Sequence, residues 1–175
     1  MNSNNEWNNH YEKATEEISD CNFATAEEHL KTAFNAVQAG SASPEEIECT
    51  LAVLAQVQRF QGDYDASAKT FKQLVELQKE IRGTNNVEVG LSLKDWGDMC
   101  FESGKFASAE MFLKQSLGIL EKRLTPLMRD FAATIDAISV CYRMLSRYEE
   151  ALDHAERAIA LLELISGPDG FGLIQ

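Results

Sequence analysis

The sequence predicts an all-α fold, an α-solenoid of four antiparallel helix pairs. Four short segments open on an aromatic residue: Phe23-Ala24-Thr25-Ala26, Tyr64-Asp65-Ala66-Ser67, Phe106-Ala107-Ser108-Ala109 and Tyr148-Glu149-Glu150-Ala151. Their aromatics are spaced by 41, 42 and 42 residues. A small residue stands three positions after each aromatic (Ala26, Ser67, Ala109, Ala151), and another stands nine before it (Ala14, Ala55, Gly97, Ser139). Only three prolines and ten glycines interrupt the chain, which leaves long stretches free for helix. Self-similarity at a fixed period is the mark of a repeat array.

Each unit reads as helix A, a tight turn and helix B. The turns are Cys21-Asn22, Gly62-Asp63, Gly104-Lys105 and Ser146-Arg147. The small residues have a steric reason: packed helix axes lie about 8–10 Å apart, and a bulky side chain at Gly97 or Ala109 would push them apart. The aromatics Phe23, Tyr64, Phe106 and Tyr148 plug the gap beside each turn. Trp96 falls on a core position of the third repeat. Helices are expected near 5–20, 24–39, 44–61, 64–81, 86–103, 106–123, 126–145 and 148–165. They group into repeats 5–40, 44–82, 86–124 and 126–166 of a single domain, 1–166. Residues 167–175 are left as a C-terminal tail or the start of a further truncated repeat. Ser43-Pro44-Glu45-Glu46 is an N-terminal helix signal, with Ser as cap, Pro in the first turn and Glu at the third helical position. Thr125-Pro126 starts another helix in the same way, and Gly83 and Gly167 suit left-handed caps.

The two ends of the array differ from its middle. In the first helix, His10 and Lys13 stand where the later repeats carry Leu51, Leu93 and Ile135, and Leu54, Trp96 and Ile138. Its apolar stripe is Trp7, Tyr11, Ala14 and Ile18, as in a rotated capping helix. The last helix carries Ala151, Leu152, Ala155, Ala158, Ile159, Leu161, Leu162, Leu164 and Ile165, more than one buried face can use. The tail Phe171-Gly172-Leu173-Ile174, a second copy of the chain or a continuing repeat would cover the surplus.

Composition excludes several functions. The formal net charge is −12, opposite to the basic footprint of a nucleic-acid surface or an anionic-membrane binder. The four cysteines, Cys21, Cys49, Cys100 and Cys141, form no Cys-x-x-Cys pair and read as small packing residues of a reduced compartment. The polar N-terminus lacks a signal-peptide core, so the cytoplasm is the default location. His10, His29 and His154 show no metal-ligand spacing and read as surface residues, so neither metal nor cofactor is expected. Gly104-Lys105 lacks the upstream glycine of a phosphate loop. Paired glutamates at 27–28, 45–46 and 149–150 fall in first turns, where the helix dipole accounts for them.

Leu93-Lys94-Asp95-Trp96-Gly97, followed by Gly104-Lys105-Phe106-Ala107-Ser108-Ala109, resembles the tetratricopeptide repeat family. The resemblance covers nearly the whole chain and implies a right-handed superhelix. The period of about 42 residues, against the usual 34 or so, resembles the kinesin light chain subgroup, as does the linker Ile81–Val89. It implies that the A helices line a concave groove in which a partner peptide or helix lies. The residues so placed are Tyr11, Gln56, Arg59, Phe60, Lys94, Asp98, Phe101, Asp136 and Arg143. Arg59, Lys94 and Arg143 suit either a partner's carboxylate or pairing with Asp98, Glu102 and Asp136, and Phe60 and Phe101 suit either ligand anchors or interhelical packing. Tyr11 and Thr15 stand where chaperone-tail clamps of the family carry Lys and Asn. Lys94-Asp95 and Asp136-Ala137 stand where kinesin light chains carry asparagines. The expected function is therefore a non-enzymatic protein-interaction module of unidentified partner. The alternative is a structural subunit that forms a homodimer through its C-terminal helix.

Overall fold

A computed structural model describes residues 3–39, 43–120 and 128–166, with side chains described over 6–38, 43–120 and 130–160. The described residues form eight α-helices and no strand: α1 (Ser3–Ser19), α2 (Phe23–Ala39), α3 (Pro44–Phe60), α4 (Tyr64–Arg82), α5 (Val87–Glu102), α6 (Phe106–Leu120), α7 (Met128–Met144) and α8 (Tyr148–Ser166). They fall into two compact units, Met1–Thr84 and Asn85–Gln175. Within each unit every helix packs on the next one in the chain. Thr125-Pro126, Gly167 and the tail from Phe171 to Ile174 lie outside the described residues, as do the side chains of Leu161, Leu162, Leu164 and Ile165.

The hairpin turn is the same device four times over. The backbone turns left-handed at Cys21 (φ 59°), Gly62 (78°), Gly104 (76°) and Ser146 (61°). The following N–H closes a six-residue loop onto the helix just ended: Asn22 to Glu17 O, Asp63 to Gln58 O, Lys105 to Cys100 O and Arg147 to Tyr142 O, at 2.8–2.9 Å. This is a Schellman closure, which satisfies carbonyls that a helix end leaves free. The same four residues then accept the first bond of the next helix, from Ala26, Ser67, Ala109 and Ala151. One residue thus ends helix A and caps helix B, leaving no slack for the crossing to vary.

Ala14, Ala26, Ala55, Ser67, Gly97, Ala109, Ser139 and Ala151 are all buried. The Ser67 hydroxyl donates to Ala55 O at 2.9 Å, a bond possible only where the backbones run close together. A Cβ added at Gly97 would lie 2.7 Å from Leu113 Cγ and 3.4 Å from Ala109 O. Of the gap-plugging aromatics, Phe23, Tyr64 and Phe106 are half-buried, whereas Tyr148 is exposed. Around the small contacts sit the buried side chains Leu30, Phe71, Leu74, Leu93, Met99, Leu113, Leu120, Ile135 and Ile138. Tyr11, Ala14 and Ile18 turn inward from α1 onto Ala26, Leu30, Leu54 and Val57, so the rotated stripe is the one that packs.

Four expectations are corrected. Trp96 is only half-buried: its indole stacks on Phe112 with centroids 3.9 Å apart. Cys21 and Cys49 are exposed rather than packed, Cys21 because it occupies the turn; Cys100 and Cys141 are buried. Gly83 has φ 85° but ψ 157°, so it closes α4 in the extended, glycine-only region instead of a left-handed cap. His10 and His29 are half-buried and face each other across the first helix pair instead of lying on the surface. The box at Ser43 is present in both directions, with Glu46 N–H to Ser43 Oγ at 3.2 Å and Ser43 N–H to Glu46 Oε2 at 3.0 Å.

Gly97→Leu should overpack the third helix pair and cost about 1–3 kcal/mol in chemical denaturation. The turns give the converse test. Ser146→Gly removes a strained left-handed serine and should gain about 0.5–1 kcal/mol, while Gly62→Ala should lose about 1 kcal/mol. Equal melting temperatures for all three chains would contradict the turn geometry.

Candidate functional site

The residues assigned to the groove lie on the A helices, and each unit presents its own set. In the first unit Tyr11 is half-buried and stacks on Trp7 at 5.0 Å between centroids. Burial, aided by the nearby Cys49, pushes its hydroxyl pKa up. The Trp7 indole N–H donates to Thr50 Oγ1 at 2.8 Å and ties α1 to α3. One turn of α3 then carries Gln56, Arg59 and Phe60. The Arg59 guanidinium donates to Gln56 Oε1 at 3.3 Å. Phe60 stacks on Phe23 with centroids 5.4 Å apart, yet 63% of it stays exposed.

In the second unit Lys94 pairs with Asp98 one turn later at 3.0 Å. Phe101 is half-buried against Phe106, with centroids 5.3 Å apart. Asp136 and Arg143 on α7 are exposed, and Arg143 has no ion pair among the described residues. The three groove cations therefore differ: Lys94 is held by a carboxylate, Arg59 by an amide, and Arg143 reaches into solvent.

Two polar joints escaped the sequence reading. At the fifth position of α2, Glu27 accepts from Gln58 on the next helix at 3.0 Å and pairs with Lys31 at 2.9 Å. At the same position of α6, Glu110 pairs with Lys114 at 2.9 Å and with Arg147 from the next helix pair at 3.0 Å. Arg147 also lies 4.3 Å over the Tyr142 ring and is bonded to Glu150. Burial raises the Glu27 and Glu110 carboxyl pKa values, but hydrogen bonds and cations outweigh it and hold both below the usual carboxylate value. Within α3 and α4, buried Glu48 accepts from Gln78 at 2.9 Å and from Arg82 at 2.6 Å. The one available signal was register: Glu48 stands where the other repeats carry Trp7, Gly90 and Ala132.

Burial pushes the Cys100 thiol up and the Cys141 thiol up to about 11, away from the thiolate a nucleophile needs. Among the described residues no three His, Cys, Asp or Glu side chains converge as metal ligands. No described helix is long and apolar enough to cross a membrane. On α8, Tyr148, Leu152 and Ile159 are 66%, 61% and 56% exposed along one face.

Two family models, both described as tetratricopeptide repeat, match residues 46–122 and 131–171. No curated protein matches the chain by sequence. Among solved structures it is similar to BtubC (BKLC) of P. vanneervenii, with TM-score 0.84 and 13% identity, covering 90% of this chain and 63% of that one. A putative kinesin light chain with nearly identical TPR-like repeats, from Podosopora anserina, gives TM-score 0.77 and 16% identity over 92% of this chain and 78% of that one. Aspartyl phosphate phosphatase F from Bacillus subtilis gives 0.78 and 18%, over 97% of this chain and 44% of that one. The chain thus spans less than two thirds of BtubC and less than half of the phosphatase. What it shares with all three is the fold, that of the tetratricopeptide α-solenoid.

Glu110→Gln should destabilise the second unit in a pH-dependent way. The folded carboxyl titrates below its unfolded value of about 4.3. Its contribution is therefore fully present above that value and is lost as pH falls through the folded pKa. The gap in Tm between wild type and variant should be constant near neutrality and close on acidification. A gap that widens in acid would refute the assignment.

Proposed function

Because the chain belongs to the tetratricopeptide repeat family, we propose that it is a non-enzymatic protein-interaction module. It holds a partner's peptide or helix in the groove that the family lines with its A helices. The observation that carries this reading is Phe60, a large aromatic left 63% exposed at the end of α3 beside Arg59. Leaving most of a large apolar ring exposed forgoes roughly 1–2 kcal/mol of burial, and aromatic and arginine side chains are the anchors that partner surfaces favour. Within the second unit's own set of A-helix residues, exposed Arg143 supplies a charge for an acidic group. The raised thiols and the acidic net charge favour neither covalent catalysis nor nucleic acid. The cytoplasm suits a chain with four free cysteines.

The apolar face of α8 favours a second reading, self-association. Leu152 stands at the position that Glu27 and Glu110 use to receive the next helix pair, so α8 offers an apolar version of the same seat.

Two variants separate the readings. Phe60→Ala with Arg143→Ala alters exposed groups only, and its helical circular dichroism should be unchanged. Loss of partner capture from native-cell extract in that variant supports the groove. Leu152→Glu with Ile159→Glu should leave capture intact if the groove is the site. If this second variant abolishes capture while the first retains it, or turns a dimer into a monomer by light scattering, α8 is the interface instead.

A further inference from the structure

His10 on α1 and His29 on α2 face each other across the first helix pair. Their Nδ1 atoms approach to 3.2 Å, and the rings lie 5.4 Å apart between centroids with a 41° tilt. We propose that the two imidazoles form a two-ligand site for a divalent transition-metal ion of the zinc, nickel or copper class, with water completing the coordination.

Distance is the first support. Ligand nitrogens about 2.0–2.1 Å from an ion are separated by about 2.9 Å at a square-planar angle and about 3.3 Å at a tetrahedral one. The observed 3.2 Å lies between these limits, so the nitrogens already have the spacing a shared ion needs, and the rings, which now meet nearly end-on with centroids 5.4 Å apart, turn about their side-chain bonds to bring both lone pairs onto it. Register is the second. His10 takes the position that the other three A helices fill with Leu51, Leu93 and Ile135, all buried. The first pair gives up that apolar contact for a side chain with a lone pair aimed at a second imidazole. Electrostatics is the third, since a chain of net charge −12 favours a bound cation.

No group is consumed when the ion binds. With the metal absent, one neutral ring donates its Nδ1–H to the other. With it present, both rings take the Nε2–H tautomer and offer the Nδ1 lone pair, so the proton moves within one imidazole and solvent carries it. Two ligands from adjacent helices make the ion a clip that holds α1 on α2. An ion bound only by the folded chain raises stability with its concentration.

The test is calorimetric titration of the untagged full-length chain with Zn²⁺ and with Ni²⁺, alongside thermal melting. One ion per chain is expected, with a Tm that rises with metal concentration. His10→Gln and His29→Gln should keep the metal-free helical spectrum and lose both effects. His154→Gln, and Cys21→Ser with Cys49→Ser, should lose neither. Cu²⁺ bound to the wild type should show hyperfine coupling to two imidazole nitrogens. Absence of binding at millimolar metal overturns the proposal, and so does binding that survives in folded His10→Gln or His29→Gln.

Discussion

Two helices can lie side by side at close range only where the facing side chains are small, and in this protein that contact recurs once in every helix pair. Ala14 meets the level of Ala26, Ala55 that of Ser67, Gly97 that of Ala109 and Ser139 that of Ala151. The Ser67 hydroxyl reaching the Ala55 carbonyl at 2.9 Å measures how close the backbones are. At Gly97 the space is already taken by Leu113, 2.7 Å from where a Cβ would sit. The close contact fixes the crossing, and the Schellman turn fixes where along the helices it falls. A left-handed residue closes helix A, and the next residue opens helix B. Two turns accomplish this with glycine and two with Cys21 or Ser146, which shows that the hydrogen-bond closure outweighs the steric cost of a side chain there.

With the pair fixed, one helix pair must still be joined to the next, and each unit uses a carboxylate at the same B-helix position. Glu27 receives Gln58, and Glu110 receives Arg147. Both carboxylates are half-buried, so each keeps contact with water while accepting from the next helix pair. The Glu48–Gln78–Arg82 cluster is a local substitute of another kind. Where the third repeat packs Gly90 against Leu120, the second buries a carboxylate and supplies it with donors. The same backbone register therefore tolerates opposite chemistries, provided the buried carboxylate is supplied with donors.

Binding draws on what this scaffold leaves over. Lys94 is engaged by Asp98 and Tyr11 by Trp7, so much of the A-helix polarity is spent holding the helices themselves. Phe60 keeps most of its ring exposed although it stacks on Phe23, Arg143 reaches into solvent, and the α8 face is left apolar at a place where the fold elsewhere seats a helix. Recognition then depends on a few residues that the repeat does not need, which is why a fold shared at 13–18% identity with proteins of different names carries no partner with it.

The sequence by itself determined the helices, their pairing and their register. These are local and repeated, so each position is tested four times over, and helix ends fell within a residue or two wherever they are described. It also determined the rotated stripe of α1 and the box at Ser43, which need only neighbours in the chain. Tertiary structure alone decided which side chains meet across helices. His10 and His29 are 19 residues apart, Glu48 and Arg82 are 34 apart, and Glu110 and Arg147 are 37 apart, and none of these separations is a multiple of the repeat. Such contacts depend on rotamer and on the angle at which two surfaces meet, quantities that periodicity does not encode. The exposure of Trp96 was undecided for the same reason. Its position in the repeat marks it for the core, but the indole, stacked on Phe112, stays half-buried.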